Sequence, residues 1–260
     1  MLGLGNSLIS TDNTRFFTNK YSIAFDGTGD YLDTGSPFQA VFRDSFTISC
    51  WVKIADGRMG GIFQSFVAAV DDPTTNGINF YTYSDGKLTM YMVAGSDMMS
   101  VITDAAVFDN GANDWKHIAV TMTRSGSGNV TAALYVNGSA VGATTTHTLT
   151  EANQANFTSS LNIYIGGRND NGSSFDMAFT GSMDEVAIWS AALDADAITA
   201  IYNSGSPTDL TTNNGNYDNS GDLEAYYRME EGTGTTVVDS STNSNNASFG
   251  GDPQWDSSIP

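Results

Sequence analysis

Short runs in which apolar and polar residues alternate recur along the chain, and each run is bounded by Gly, Asn, Asp or Ser. The run FTISCWVKI, for example, places Phe46 and Ile48 on one face and Trp51 on the other. A period of two is typical of a strand that buries one of its faces. At the usual strand length, about twelve to fourteen such strands fit the chain. The sequence therefore predicts an all-β protein, an antiparallel sandwich of two sheets.

Two of these runs are interrupted by dipeptides that favour tight turns, Asp85-Gly86 and Asn137-Gly138. Such pairs suit the positive φ angles of a two-residue hairpin loop. If both loops have two residues, Phe80 lies opposite Tyr91 on the polar face of its hairpin. By the same count, Tyr135 points outward.

One helix is predicted in the segment SAALDADAITAIYNSG. Asp194 is a suitable N-cap, and Gly205 can end the helix. Ile198, Ile201 and Tyr202 then form one apolar stripe, which predicts that the helix lies on the sandwich.

The charge balance is strongly acidic, with 10 basic and 29 acidic residues and a formal net charge of −19. Such a charge repels nucleic acids and anionic membrane surfaces, so neither is expected as a partner. Carboxylates also offer oxygen ligands to calcium, although a solvated acidic surface explains the same composition.

Cys50 is the single cysteine, which excludes an intramolecular disulfide. The sequence contains no apolar stretch long enough to span a bilayer, and its N-terminus does not look like a secretory signal.

Several segments, in their order, resemble laminin-G-like domains of the concanavalin-A-like jelly-roll superfamily. They are IAFDGTGDYLDTG, FTISCWVKI, DWKHIAVTMT, LYVNGSAVG, YIGG and FTGSMDEVAIWSAALDADAITAIY, and together they extend over residues 21–203. The resemblance implies a jelly-roll sandwich with one short helix. The single-domain layout is also similar to laminin-G-like proteins of tailed phages, especially marine ones.

The segment EAYYRMEEGTGTTVVDSSTNSNNASFG resembles a strand pair that precedes the FDG…DY strand in many members of this family. Here it follows the helix, so the resemblance implies a circular permutation. We therefore expect one sandwich over residues 21–260, closed by C-terminal strands in residues 222–260. The alternative is a truncated second repeat. Residues 1–20 are expected to form an arm outside the sandwich core.

Catalysis is not expected. Glycoside hydrolases of this fold need two carboxylates on one strand face, and no Glu-x-Asp-x-(x)-Glu run occurs in the sequence. Asp184 and Glu185 are adjacent, which predicts that they point to opposite faces of their strand.

A calcium site is implied by the resemblance, in which the Asp that opens the DEV strand helps to hold a structural ion near the first strands. Asp184 takes that place here. The nearby loops FDGTGDY and DSSTNSNNAS add Asp26, Asp30, Asp239 and Asn246 as candidate ligands. The alternative is that Asp184 only accepts hydrogen bonds from neighbouring backbone amides.

Sugar binding needs aromatic rings on the solvent side of a sheet, against which the apolar face of a pyranose packs. Trp51, Phe80, Tyr91 and Tyr135 lie on the predicted outer faces and are the candidate ligand platform. Alternatively, they pack under a loop, the helix or a neighbouring subunit. A shift of one residue in the register would reverse each assignment.

These observations predict a non-catalytic module that binds glycans or a protein partner on the virion surface, with other virion proteins as neighbours. An extracellular or cell-surface location is the alternative setting. The alternative functions are a structural decoration or fibre protein without a glycan ligand, and a glycoside hydrolase. A homo-oligomer is compatible with each of them.

Overall fold

The fold is known from a computed structural model, which describes residues 17–54, 60–65, 76–108, 113–126, 128–170 and 174–260. Over these residues, two antiparallel sheets pack face to face. This confirms the predicted all-β sandwich. The described residues form 19 strands, more than predicted, because several strands are only two or three residues long.

The eight-stranded sheet consists of β1 (Ser22–Asp26), β3 (Phe46–Ile54), β8 (Trp115–Arg124), β9 (Val130–Val136), β10 (Ser139–Ala140), β15 (Thr180–Trp189), β16 (Leu223–Tyr227) and β19 (Gln254–Asp256). The nine-stranded sheet consists of β2 (Tyr31–Asp33), β4 (Gly60–Gln64), β5 (Gly77–Thr82), β6 (Leu88–Ala94), β7 (Asp97–Thr103), β11 (Ala143–Thr146), β12 (Tyr164–Ile165), β17 (Thr236–Val237) and β18 (Ala247–Gly250). A separate small hairpin joins β13 (Arg168–Asp170) to β14 (Ser174–Asp176).

The strand order explains how distant parts of the sequence meet. The eight-stranded sheet runs β10-β9-β8-β3-β15-β1-β19, and β16 also pairs with β15. The nine-stranded sheet runs β11-β7-β6-β5-β4-β12-β2-β18-β17. The main core lies between the sheets and contains alternate residues of the long strands, such as Phe46 and Ile48 of β3. Each sheet therefore has an inner face toward this core and an outer face away from it.

Three short α-helices occur in the described residues, where the sequence predicted one: α1 (Gln39–Phe42), α2 (Glu151–Gln154) and α3 (Ala195–Tyr202). The predicted cap of α3 is confirmed, because the Asp194 side chain accepts a hydrogen bond from the Ala197 amide at 2.8 Å. The helix ends earlier than predicted, since Asn203 already adopts the left-handed conformation with φ 47°. Buried Ile198 and Ile201 pack on the outer face of the eight-stranded sheet, with Trp189 in the same cluster.

The C-terminal segment contributes to both sheets. β16 pairs with β15, β19 pairs with β1, and β18 pairs with β2. Tyr226, Tyr227, Met229 and Val237 of this segment are fully buried. These contacts are as expected for strands that complete the sandwich, while the circular permutation and the domain limits stay predictions.

The predicted arm lies mostly outside the described residues, since only residues 17–20 of it are described. These few residues contact the C-terminal segment and β15. The Arg228 guanidinium lies 4.3 Å from the centre of the Phe17 ring, and the Asn19 side chain donates a hydrogen bond to Asp184.

No helix in the described part of the chain is long and apolar enough to cross a membrane.

Candidate functional site

The Asn137-Gly138 hairpin has the predicted geometry. Val136 pairs with Ser139 and Tyr135 with Ala140, so the loop has two residues. Asn137 and Gly138 both have positive φ, 49° and 76°, as the two-residue turn requires. The register prediction for this hairpin is therefore confirmed, and Tyr135 lies on the outer face of the eight-stranded sheet.

The Asp85-Gly86 hairpin has a loop one residue longer than predicted. β5 and β6 pair Thr82 with Leu88 and Phe80 with Met90. The Gly86 amide donates to the Tyr83 carbonyl, and the Tyr83 amide donates to the Lys87 carbonyl, each at 2.9 Å. This is a three-residue loop that ends in a glycine with φ 76°.

The extra loop residue exchanges two aromatic side chains between the faces of β5. Phe80 is fully buried in the main core, so its assignment to the outer ligand platform is wrong. Tyr81 takes the outer position instead and clusters with Tyr91, which does lie on the outer face as predicted. The physical reason is the period of two, because a slip of one residue reverses every side chain of a strand.

Trp51 and Tyr135 lie on the outer face of the other sheet, where α3 packs. The Trp51 ring stacks on Tyr202 of the helix with a centroid distance of 5.6 Å. Tyr135 is buried in the cluster that includes Ile198 and Ile201. The alternative interpretation, packing under the helix, therefore describes both residues. The four predicted aromatic residues do not form one surface.

A different group of tyrosines lines a pocket of about 190 Å³ on the outer face of the nine-stranded sheet. We call it the tyrosine pocket, and define it by Tyr81, Tyr83, Tyr91, Ser100, Thr146 and His147. Met98 and Ile102 complete its apolar wall. β5, β6 and β7 supply its floor, and the end of β11 supplies its rim. Of these residues, the sequence analysis selected Tyr91 and missed the others. Tyr81 was missed because the predicted register of the hairpin placed it on the core face of its strand.

The aromatic rings of the pocket differ in exposure. Tyr83 lies in the hairpin loop and is 43% exposed, whereas Tyr81 and Tyr91 are largely covered. The Tyr81 and Tyr83 rings are 5.4 Å apart and inclined at 47°. The Tyr91 hydroxyl lies 3.6 Å from the Met98 sulfur. One exposed ring therefore stands beside hydroxyl groups and an imidazole, an arrangement that suits a ligand with both apolar and polar faces.

A larger cavity of about 370 Å³ lies between α1 and the loop around Asn243. Its lining is mostly polar and contains Phe38 as its aromatic residue, and that side chain is buried. This cavity lacks an exposed ring for a sugar to stack on, so the tyrosine pocket is the better candidate.

A second candidate site is acidic. Ligand oxygens of Asp26, Asp30 and Asp252 all lie within 4.8 Å of one another. The buried Asp30 carboxylate accepts hydrogen bonds from the Asp26 and Asp252 amides, each at 3.0 Å. Burial raises the pKa of Asp30, and the neighbouring carboxylates raise it further, while those two hydrogen bonds lower it. Asp252 was not among the predicted ligands, because it reaches the group only through the pairing of β19 with β1.

The other predicted calcium ligands lie elsewhere. Asp184 accepts hydrogen bonds from the Asn19 side chain and the Glu185 amide, both at 2.9 Å. Asp239 accepts from the Tyr226 amide, and its own amide donates to Asn246. The five predicted ligands therefore do not form one site: Asp26 and Asp30 lie together with Asp252, Asp239 contacts Asn246, and Asp184 belongs to neither group.

Asp184 and Glu185 do not alternate across their strand. The pairing of β15 with β3 shifts between Asp184 and Ala187, and Glu185 has φ 52° at this bulge. Asp184 lies opposite Trp51, and Glu185 contacts the Tyr226 hydroxyl, so both carboxylates are on the outer side. The prediction of opposite faces is wrong because a bulge adds one residue to the strand.

Burial dominates the electrostatics of this pair. It raises the pKa of Asp184 and of Glu185 well above their ordinary values, and the charge of Asp184 raises the pKa of Glu185 further. Neither side chain is open to solvent. The pair is therefore not positioned to contact a substrate at the surface.

Comparison with known families matches residues 26–199 to the family described as the concanavalin A-like lectin/glucanases superfamily. A comparison with curated protein sequences finds no significant match.

Solved structures share the fold at low sequence identity. A Bacteroides ovatus protein inferred to bind carbohydrate is 17% identical with a TM-score of 0.61, and the match covers 93% of this chain and 60% of that chain. The CBM40 of the Ruminococcus gnavus IT-sialidase, bound to α2,3-sialyllactose, is 17% identical with a TM-score of 0.52, covering 70% of this chain and 97% of that one. A NanB sialidase of Streptococcus pneumoniae is 15% identical with a TM-score of 0.55, covering 84% and 30%.

Proposed function

The chain belongs to the concanavalin A-like lectin/glucanases superfamily, and from this we propose that it is a non-catalytic module that binds glycans. The observation that carries the proposal is the tyrosine pocket, with an exposed aromatic ring beside polar side chains. Two of the structural neighbours described above are a CBM40 bound to a sugar and a protein inferred to bind carbohydrate.

Sugar rings present an apolar C–H face and an edge of hydroxyl groups. The exposed Tyr83 ring offers a surface for the apolar face. Ser100 and Thr146 offer hydroxyl groups, and His147 offers ring nitrogens. At about 190 Å³, the pocket is smaller than the clefts of roughly 300–1,000 Å³ that enclose drug-sized ligands. We therefore propose that it takes one sugar ring of a longer glycan.

The lining of the pocket also supports a role without catalysis. Glycoside hydrolysis requires a pair of carboxyl groups that flank the scissile bond. Among the described residues, no Asp or Glu lines the tyrosine pocket. These side chains are therefore suited to bind a sugar and not to hydrolyse a glycosidic bond.

Substitution of Tyr83 tests the proposal. Glycan-array binding, followed by calorimetry on the glycans that bind, would be measured for the full chain. Tyr83→Ala should weaken binding about two- to tenfold, because aromatic packing contributes about 0.5–1.5 kcal/mol beyond the buried area. Tyr83→Phe keeps the ring and should retain most of the affinity. Val238→Ala removes another exposed apolar side chain, in the C-terminal segment, and should change nothing.

Unchanged binding by Tyr83→Ala would place the glycan elsewhere. Failure of the wild-type chain to bind any glycan would remove the proposed function and favour the structural alternative.

For the location, we propose the virion surface. The support is the acidic composition, in which only 15% of the residues are charged, and the resemblance to laminin-G-like phage proteins. Mass spectrometry of purified virions tests this directly. A chain found in virions that binds no glycan would be a decoration or fibre protein.

A structural calcium ion is a further part of the proposal. Three carboxylates with oxygens this close are suited to a hard cation. Asp26, Asp30 and Asp252 would hold the ion, which would neutralise their mutual repulsion and fix the first loop to the C-terminal segment.

A further inference from the structure

We infer that the tyrosine pocket selects neutral glycans over glycans that carry a carboxylate or a sulfate. This inference rests on the proposed glycan-binding function and specifies the chemical class of its ligand. The observations that carry it are a lining that, among the described residues, has no Lys, Arg, Asp or Glu, and the charges that surround it.

The side chains that line the pocket are aromatic, aliphatic, hydroxyl-bearing or imidazole groups. Among the described residues, the lining includes no Lys or Arg. Acidic sugars are bound best by guanidinium groups, which pair with a carboxylate through two parallel hydrogen bonds. An acidic group that entered this pocket would lose water without gaining such a partner, which is unfavourable.

The charges next to the pocket do not compensate for this. Lys87 lies in the same hairpin as Tyr83, and its backbone amide donates a hydrogen bond to the carboxylate of Asp85 at 3.1 Å, so this loop carries one cation and one anion. Asp104 directly follows the last residue of β7, and its carboxylate accepts a hydrogen bond from the Thr144 hydroxyl of β11. Among the described residues of the hairpin loop and of the C-terminal ends of β7 and β11, the formal charges are therefore one cation and two anions. The formal net charge of the whole chain, −19, adds a repulsion that salt screens over about 8–10 Å.

The fold does not decide the charge of the ligand. The CBM40 described above shares the fold with this chain and is bound to sialyllactose, an acidic sugar, at only 17% identity. Ligand choice depends on the residues of a site rather than on the sandwich that carries it. Because the described lining of the tyrosine pocket has no Lys or Arg, it predicts the opposite preference.

The experiment compares matched pairs of glycans that differ only in an acidic group. The full chain is titrated with lactose and α2,3-sialyllactose, and with an array of neutral oligosaccharides beside their sialylated or sulfated forms. We expect the neutral member to bind about tenfold more tightly, since an unpaired charged group forfeits its hydrogen bonds. Raising the salt from 0.05 M to 0.5 M should strengthen acidic binding and leave neutral binding unchanged.

Substitution at the exposed Thr146 tests whether the pocket itself sets the preference. Thr146→Arg supplies the missing cation and should raise the affinity for the acidic member several-fold. Thr146→Gln removes the same hydroxyl group without adding a cation, so any affinity it loses should be lost from both members of a pair, and the acidic member should gain none. Lys87→Gln should preserve the neutral preference. Thermal melts of all variants confirm that each one is folded.

The outcomes separate this inference from the proposed function. Tighter binding of acidic members that Tyr83→Ala weakens would overturn the inference and leave glycan binding intact. A neutral preference in which Tyr83→Ala leaves the affinities of both members unchanged would also overturn it, because the pocket would not be the site. If no glycan binds, the proposed function fails and the inference fails with it.

Discussion

Two adjacent valines in the C-terminal segment test whether that segment is part of the folded core. Val237 of β17 is fully buried and belongs to the main core, whereas Val238 is 45% exposed. Substituting each by alanine removes the same atoms from the same stretch of chain. The pair therefore separates burial from any general effect of changing this strand.

The magnitude follows from the atoms removed. Val→Ala deletes two carbon groups, each worth about 0.8 kcal/mol when buried, and the cavity left behind adds to the loss. We expect Val237→Ala to lower the free energy of unfolding by about 2 kcal/mol. At about 2–4 °C per kcal/mol for a chain of this size, the melting temperature should fall by about 4–8 °C. Val238→Ala should stay within about 0.5 kcal/mol of wild type.

Urea denaturation of the full chain gives both free energies, and calorimetry gives the melting temperatures. Equal m-values would show that the unfolded states are comparable, so that the difference reports on the native state. If Val237→Ala and Val238→Ala were equally stable, the C-terminal segment would not share the cooperative core. The role assigned to residues 222–260 would then be wrong.

Three further predictions follow from the same structure. A chain that ends at Gly221 loses the partners of β15, β1 and β2 and should be insoluble or unfolded; a soluble product that melts like the full chain would contradict this. Burial lowers the pKa of His117 to about 3. As the pH falls below about 6.5, the His117 imidazole therefore takes up a proton in the unfolded chain but not in the folded one, and this favours unfolding. Between pH 6.5 and pH 5, wild type should therefore lose about 2 kcal/mol relative to His117→Gln, and parallel pH profiles would refute the reasoning. If calcium binds the acidic group, a chelator should lower the melting temperature and added calcium should restore it; at a hundredfold excess over Kd, calcium should raise the free energy of unfolding by about 2.7 kcal/mol. Asp252→Asn should abolish that response, and a melt that chelator does not change would remove the ion from the account.

The sequence pattern predicted the structure correctly where that structure depends on residues close together in the chain. The alternation in FTISCWVKI correctly identified Phe46 and Ile48 as inner residues, because a strand has a fixed period. Asp194 was recognised as a helix cap because the side chain contacts an amide three residues ahead.

The turn dipeptide alone does not set the length of a hairpin loop. Asn-Gly and Asp-Gly carry the same preference for positive φ, which both a two-residue and a three-residue loop can use. At Asn137-Gly138 both residues adopt positive φ, whereas in the other loop only Gly86 does. A Cβ at Gly86 would lie 2.0 Å from the Phe108 carbonyl, so the turn is fitted against a distant segment. The sequence of the hairpin does not reveal this contact. It occurs together with the register that places Tyr81, rather than Phe80, on the outer face of β5.

The acidic group and the carboxylate pair depend on tertiary structure in the same way. Asp26 and Asp30 are neighbours in one loop, and the sequence selected them for that reason. Asp252 joins them only because β19 pairs with β1. Asp184 and Glu185 share one side because a bulge in β15 interrupts the alternation. The sequence by itself determined which segments are strands and which residues prefer turns, since these are properties of a few adjacent residues. Register shifts and contacts between distant strands come from packing of the whole sandwich, and they decided which side chains meet at each site.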